Sequence, residues 1–509
     1  MTVHELLSAW VRALPPGLSP DDSPVLPAHT AALDIGCSRV THDSRQASPG
    51  SVFVALRGFK SDGVAFAPQA IAGGAAVVVA ERASDSPSSV PWVIVADARL
   101  ALAQLAAEFF GHPSREMQVV GITGTNGKTT TGFLVSAIFE AAGITCGLMG
   151  TVTYRVGSEE FAATRTTPEA PEVQGLMRQM VTAGCGACVM EVSSHALALR
   201  RVDGITFAAG IFTNLTRDHL DFHADMEDYF AAKRRLFDML PEGAPAVVNV
   251  DDPRGVTLAE SVARPVTYAI SRAADVTPGP LSFSLDGLEF DVRMPQGTAH
   301  AISRLVGKPN VYNILAAVAV TASLGVPLAA IEAGLKALPG VPGRFEVTSS
   351  AADDITVVVD YAHTDDALRN LLETARPLAG RRLITVFGAG GDRDRTKRPL
   401  MGMVAARLSD VVVVTWDNPR SEDPGRIIDE IKRGAEPETR LRDAEVLTIV
   451  DRRDAITRAV ESASSGDVVL IAGKGHEKYQ EINGRVLPFD DVAVAREALE
   501  ARRVKSRVG

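Results

Sequence analysis

The residues best suited to chemistry lie in one short stretch, Gly124-Thr125-Asn126-Gly127-Lys128-Thr129-Thr130. Val119 and Val120 carry an apolar run into it, and a helical pattern from Thr131 to Ala142 leaves it and stops at Gly143. A buried strand, a glycine loop and a helix start together make a phosphate cradle. The glycines let backbone N–H groups approach phosphate oxygens, and the helix N-terminus adds the positive end of its dipole. Lys128 would reach the terminal phosphates of a nucleotide, and Thr129 would place a hydroxyl on Mg²⁺. The stretch is a tighter variant of the common phosphate loop, GxxxxGK[ST], whose first glycine would fall at Ile122.

Further polar clusters close other apolar runs. CVMEVSSH passes from a strand into Glu191, Ser193, Ser194 and His195; AAGIFTNLTRDHLDFH ends in Asn214, Asp218, His219, Asp221 and His223. A helix holding Tyr229, Lys233 and Phe237 comes next, and Asn310 and Asn313 open a second long helical run. Taken singly, His219 reads as a structural histidine and Lys233 as a surface lysine. Beyond Pro339-Gly340-Val341-Pro342-Gly343, four apolar runs each stop at a charged loop. These loops begin at Asp360-Tyr361-Ala362-His363, at GAGGDRDRTKRP with Arg393, at Asp417-Asn418-Pro419-Arg420, and at Gly473-Lys474-Gly475-His476-Glu477. Helical patterns separate the runs, so the strands should be parallel and doubly wound. Ligands of such sheets bind beyond the carboxyl ends of the strands, which would let the loops converge on one site.

The elements that position these residues read as α/β throughout. SVFVALRG, AVVVAE and PWVIVAD are strands of a first unit, FAPQAIAGGA is helix-like between them, and residues 265–303 alternate as an antiparallel edge does. His112-Pro113-Ser114 and the Pro/Gly stretch near 340 are the natural boundaries, giving domains at 1–112, 113–342 and 343–509. A chain of 509 residues has room for about three domains of ordinary size. Its net charge of −10 argues against nonspecific nucleic-acid binding. Four cysteines are too few for a disulfide framework, and the lone Cys185-x-x-Cys188 reads as two small core residues. MTVHELLSAWVRAL reads as an amphipathic helix, not a signal peptide, and the apolar stretch 63–80 holds Pro68, Gln69, Gly73 and Gly74, so no membrane span is expected. The expectation is a cytoplasmic monomer.

In this order, GTNGKTT, MEVSSH, NLTRDHLDFH, GRFE, DYAHT, GGDRD, DNPR and GKGHE resemble the Mur ligase family of peptidoglycan synthesis over essentially the whole chain. GTNGKTT alone would indicate the wider amide-ligase superfamily, which includes folylpolyglutamate synthetase. DNPR with GKGHE resembles the branch that adds meso-2,6-diaminopimelate. The resemblance implies a UDP-substrate-binding α/β domain, a central ATPase with a parallel sheet, and a Rossmann-like C-terminal domain that binds the amino acid. It implies ATP-dependent amide formation on the D-glutamate γ-carboxylate of UDP-N-acetylmuramoyl-L-alanyl-D-glutamate, through an acyl phosphate.

By the same resemblance, Thr129 and Glu191 would bind one Mg²⁺ and His219 and Lys233 a second. Lys233 would do so as a carbamate, since an ammonium is a poor metal ligand. Lys128, Glu191, His219 and Lys233 would form the catalytic set. Asn313, Arg344 and Asp360 match adenosine-side contacts. Ser44 and Phe59-Lys60-Ser61 match uridine and pyrophosphate contacts, and Thr166, Thr167, Ser193 and Arg201 contacts with the muramoyl dipeptide. Arg393 and Arg420 would take the far carboxylate of diaminopimelate. Asp417 and Glu477, with carbonyls near Gly473, would take its ammonium, and Asn418 and Pro419 complete that site. Three positions depart from the family: Leu199 replaces a common glutamine, Asp365 a proline and Arg165 an asparagine. Competing readings are the L-lysine-adding counterpart, another Mur or folylpolyglutamate-type ligase, an ATPase that couples hydrolysis to movement, and a homologue that only binds nucleotide.

Overall fold

The computed structural model describes residues 1–14, 24, 26, 33–58, 61–84, 87–441 and 444–508. Phe59 and Lys60, assigned above to pyrophosphate contact, lie outside the described residues. The chain divides into two compact units, Met1–Thr123 with Gly143–Gly210 and Ala232–Ala246, and Gly124–Ala142 with Ile211–Ala231 and Val247–Gly509.

The first unit begins with the amphipathic helix Val3–Ala13. Thr2 Oγ1 accepts from Glu5 N at 3.1 Å and Glu5 Oε2 accepts from Thr2 N at 2.7 Å, a reciprocal cap that satisfies two orphan donors. Val3, Leu6, Leu7 and Trp10 are buried at helical spacing. Four parallel strands follow in sequential order: Arg39–Thr41, Ser51–Ala55, Ala75–Ala80 and Trp92–Ile94. Alternation sends Val52 and Val54 to the face covered by Val3–Ala13 and Ala98–Phe109, and Phe53 and Ala55 to the face covered by Ala67–Ala72. The expected strands are all present.

An eight-stranded sheet runs in the order Pro265–Tyr268, Ala246–Asn249, Ala209–Phe212, Gln118–Thr123, Ala187–Glu191, Cys146–Met149, Thr153–Val156, Glu159–Ala162. Ala187–Glu191 lies parallel to Gln118–Thr123 and to Cys146–Met149, and the last two strands close the edge as antiparallel hairpins. Cys146, Cys185 and Cys188 are buried free thiols, as core residues should be.

In the second unit, helices Lys128–Ala141, Lys308–Ser323 and Leu328–Ala337 pack against one another. Strands Gly287–Met294 and Gly297–Ser303 form the antiparallel ladder expected near 265–303, with Thr277–Pro278 and Ser282–Ser284 along the other edge of Gly287–Met294. Buried and exposed residues alternate along the two long strands, the signature of a sheet with one covered face.

The C-terminal sheet has six strands in the order Glu346–Val347, Thr356–Asp360, Val468–Ala472, Leu383–Phe387, Val411–Val414, Glu445–Thr448. All are parallel except the first pair. The four expected strands are the four central ones. Their residues split by parity: Val358, Phe387, Val412 and Leu470 enter one core, Val357, Ile384, Val413 and Ile471 the other. Glu445–Thr448 escaped the sequence reading because it is an edge strand with no buried residue. Among the described residues no helix is long and apolar enough to cross a membrane.

Candidate active site

Strand Gln118–Thr123 delivers the chain to Gly124, and helix Lys128–Ala141 takes over at Gly127. The tight turn needs glycine at both ends. Gly124 has φ +145° and a Cβ there would fall on Thr213 Oγ1; Gly127 has φ +88° and a Cβ there would fall on Asn313 Oδ1. The loop is tied from one side by the segment after Phe212. Thr125 N donates to Asn214 O at 2.9 Å, Asn126 N to Asn214 Oδ1 at 2.9 Å, and Thr213 Oγ1 to Asn126 O at 2.6 Å. Lys128 Nζ folds back to donate to Gly124 O at 2.9 Å and Thr125 O at 2.8 Å. The first N–H groups of a helix have no intrahelical acceptor, so this N-terminus is ready for phosphate oxygens.

Arg344 and Asp366 reach the loop from later in the chain. Arg344 Nη2 donates to Thr129 Oγ1 at 3.1 Å, and its guanidinium lies 4.5 Å from the Tyr361 ring centroid. Asn126 Nδ2 donates to Asp366 Oδ2 at 2.9 Å. Asp360 accepts from Phe345 N at 2.7 Å and Ala362 N at 2.8 Å, and burial raises its carboxyl above the ordinary aspartate value. Asn313 supports the loop from below: its Oδ1 accepts from Thr131 Oγ1 at 3.3 Å.

His219 adopts the left-handed conformation, φ +55°, directly after Asp218. Asp218 Oδ1 accepts from His219 N at 2.9 Å and Oδ2 lies 3.4 Å from His219 Nε2. Burial alone would raise Asp218, yet His219, His363 and Lys397 outweigh it and hold the carboxyl at about 2. Burial and Lys397 push His363 down to about 4. The helix Met226–Asp238 carries Tyr229, whose hydroxyl lies 3.2 Å from Thr125 Oγ1. Lys233, on the same helix, is only 1% exposed, so it is not a surface lysine.

The first unit gathers a second group of expected residues. Glu191 ends its strand buried, accepting from Thr151 N at 2.8 Å and Thr151 Oγ1 at 3.1 Å. Thr151 Oγ1 lies 3.0 Å from Thr166 Oγ1. Thr167 Oγ1 donates to Glu191 O at 2.8 Å and accepts from Ser193 N at 3.1 Å. Arg201 Nη1 donates to Thr167 O at 3.0 Å and Arg201 Nη2 pairs with Glu169 at 2.7 Å. Arg165, the departure beside the threonine pair, also pairs with Glu169, at 2.9 Å. Glu169 is thus shared by two arginines, a link the motif reading missed. Ser44 Oγ donates to Gln69 Oε1 at 2.8 Å, and Ser61 O closes the following turn on Gly58 N at 2.9 Å.

At the carboxyl ends of the C-terminal strands the loops do meet. Asn418 Nδ2 donates to Glu477 Oε2 at 2.9 Å, and Gln480 Nε2 to Asp417 O at 2.8 Å. Arg420, with φ +51°, donates from Nη1 to Gly391 O at 2.7 Å and from Nε to Glu481 at 3.1 Å. Arg393 is exposed, on the loop that Arg420 grips. The ammonium of Lys474, fully buried, sits between Asp417 and Glu477, where the sequence reading had set only an incoming ammonium. Lys474 stands inside GKGHE, which was the available signal.

Known proteins resemble this chain over most of its length. Residues 37–110 match the family described as Mur ligase family, catalytic domain, residues 122–321 the Mur ligase middle domain, and residues 343–475 the Mur ligase, glutamate ligase domain. The chain is 49% identical over 471 residues to a UDP-N-acetylmuramoyl-L-alanyl-D-glutamate--2,6-diaminopimelate ligase of Gloeobacter violaceus, covering 92% of this chain and 95% of that one. It is 48% identical to the protein of the same name from Geobacter metallireducens, covering 88% and 91%. A solved structure of a ligase with that name superposes with a TM-score of 0.67 at 32% identity, covering 99% of both chains.

Proposed function

This chain belongs to the Mur ligase family, and from that premise we propose that it joins meso-2,6-diaminopimelate to the D-glutamate γ-carboxylate of UDP-N-acetylmuramoyl-L-alanyl-D-glutamate at the expense of ATP, in peptidoglycan synthesis. The division of labour is a UDP-substrate domain at 1–112, an ATP domain at 113–342 and an amino-acid domain at 343–509, acting as a cytoplasmic monomer. The observation that carries the substrate assignment is the cluster of Asp417, Asn418, Lys474 and Glu477 with Arg420 beside it. It offers carboxylates for an ammonium and a guanidinium for a carboxylate, as an amino acid with two charged ends requires.

The glycine loop and the start of helix Lys128–Ala141 hold the ATP phosphates, and Lys128 swings from its loop carbonyls to the transferred group. Activating a carboxylate brings two anions together, so the chain must supply positive charge where they meet. The donors suit Mg²⁺: Thr129 offers a hydroxyl and Glu191 a carboxylate already oriented by Thr151, both hard oxygen ligands. His219 and Lys233 would hold a second ion. A buried amine is costly as a cation, and a carbamate turns it into an oxygen anion fit for a metal. When bound, the ions neutralise the phosphoryl oxygens. Thr166, Thr167, Ser193 and Arg201 seat the dipeptide, and Arg344, Asn313 and Asp360 the adenosine side. With the far ammonium held beside Glu477, the amino acid's other amine, in its neutral form, attacks the acyl carbon; phosphate departs and the amine's proton passes to solvent.

Selectivity against L-lysine follows from Arg420. With lysine bound the guanidinium would keep Glu481 but gain no carboxylate from the substrate, and a hydrogen bond to a charged group is worth roughly 1.5–3 kcal/mol. That is about ten- to a hundredfold in kcat/KM. Phosphate release by the purified protein with ATP, the UDP-linked dipeptide and each amino acid in turn tests this. Comparable kcat/KM for L-lysine and meso-diaminopimelate would sink the assignment, and Arg420→Ala should erase most of the difference.

A further inference from the structure

Lys474 is the one fully buried lysine at the amine end of the C-terminal sheet that the proposed reaction leaves without a task. It sits between Gly473, φ +118°, and Gly475, φ +51°, conformations that let the backbone turn and aim the side chain inward. Its Nζ donates to Asp417 Oδ1 at 3.3 Å, Asn418 Oδ1 at 3.0 Å and Glu477 Oε2 at 3.1 Å. Nζ also lies 5.5 Å from the Tyr479 ring centroid. An ammonium has three N–H donors, and all three are engaged by protein. Lys474 therefore has no donor left for a substrate and acts through its neighbours.

Charge counting shows what it does for them. Asp417 and Glu477 together carry two negative charges and Lys474 one positive, while the adjacent Arg452 is neutralised by Asp491 at 2.7 Å. One negative charge remains, which a substrate ammonium would complete. Burial and Asp417 push Glu477 up, and Lys474 opposes them; Asp417, despite burial, is held below the ordinary range by Lys474 and Arg452. The other groups facing the pair are Tyr361, Tyr479 and His363. None of them replaces a fixed cation between two carboxylates.

We propose that Lys474 is a positioning residue for the amine substrate: it fixes Asp417, Asn418 and Glu477 in one constellation and keeps both carboxylates free of protons. The proposal rests on the assignment of this cluster to the amino acid. Without the lysine, two buried carboxylates side by side would share a proton. That proton would occupy the acceptor the incoming ammonium needs, and binding would have to expel it.

The test is Lys474→Met in the full chain, with KM for meso-diaminopimelate, ATP and the UDP-linked dipeptide measured from pH 7 to 9 beside wild type. Taking the ratio of variant to wild-type KM cancels the titration of the substrate itself. The expected result at pH 7 is at least a tenfold higher KM for meso-diaminopimelate, with the other two KM values within about threefold. The ratio should then fall toward about tenfold per pH unit as the shared proton is lost. In a Glu477→Gln background the same substitution should cost less than about threefold, because no proton is then shared. A ratio that does not change with pH, or a parallel rise in all three KM values, overturns the proposal. Lys474→Gln keeps a donor without the charge and should show the same pH dependence. Failure of both variants to fold would make Lys474 a stability residue and also overturn it. A wild-type enzyme that does not use meso-diaminopimelate would instead remove the substrate assignment itself, which the wild-type arm reports separately.

Discussion

Replacing Gly127 by alanine tests whether the phosphate cradle works as the geometry says. The residue caps helix Lys128–Ala141 in the left-handed region, φ +88° and ψ −12°. An L-residue with a Cβ pays about 1–2 kcal/mol there. The new Cβ would also fall on Asn313 Oδ1, the acceptor of Thr131 Oγ1. Moving Asn313 away gives up that bond, about 1 kcal/mol, and disturbs its Nδ2 contact with Asn310 at 2.9 Å. The sum is about 2–3 kcal/mol, or roughly 30- to 150-fold. The loop relieves it by shifting, so the loss should appear in kcat/KM for ATP, read as ADP release with saturating acceptor substrates. KM for the amino acid should stay within about threefold. Asn313→Ala in the same chain removes the overlap but not the φ strain, and it gives up the same bond to Thr131, so it should recover no activity toward ATP. A Gly127→Ala enzyme with wild-type kcat/KM for ATP would refute the argument, since neither strain nor overlap could then be shaping the loop.

Lys233→Ala should lose most activity. Wild-type protein stripped of CO₂ should regain activity with bicarbonate and gain the mass of one CO₂, and a bare lysine in fully active protein would end the carbamate reading. Arg398 offers a stability test. It is fully buried, donating to Glu422 at 2.8 and 2.9 Å, to Glu430 at 2.8 Å and to Gly390 O at 3.0 Å. Its hydrogen bonds hold Glu422 at about 2, against the usual 4.5. A depressed carboxylate contributes stability that is complete above pH 4.5 and lost as pH falls toward 2. Arg398→Met should therefore lower Tm most near pH 7, by an amount consistent with about 3–5 kcal/mol for breaking a buried pair, and the gap should shrink by pH 3.5. A gap independent of pH would show that the ion pair is not its source.

Much of this arrangement was legible because its signals are local. Near-continuous apolar runs such as ITVVVD and DVVLIAG fill two cores from the two faces of one strand, and a parallel sheet leaves its polar residues at the strand ends. The phosphate loop was readable because glycine is demanded by φ and by crowding at Gly124 and Gly127. Glu445–Thr448 was not readable, because an edge strand without buried residues lacks the pattern. Thr213 and Asn214, which tie the loop in place, lie almost ninety residues from Asn126, and no spacing rule links them.

The same limit explains why the amine site was read by its loops and not by its centre. Asp417 and Glu477 were assigned to an ammonium on chemical grounds, and the ammonium of Lys474 lies between them. Motif reading assigns a charge to the ligand whenever a complementary partner is not adjacent in the chain. Lys474 is three residues from Glu477 but fifty-seven from Asp417, and only the crossover that inserts Val468–Ala472 between Thr356–Asp360 and Leu383–Phe387 brings the three together. A topology that interleaves late and early strands places an internal cation where a sequence reader expects the substrate's. Two carboxylates with one lysine then leave a single charge for the ligand. On the proposed reading that remainder draws the substrate's ammonium, and it is set by the strand order as much as by the motif.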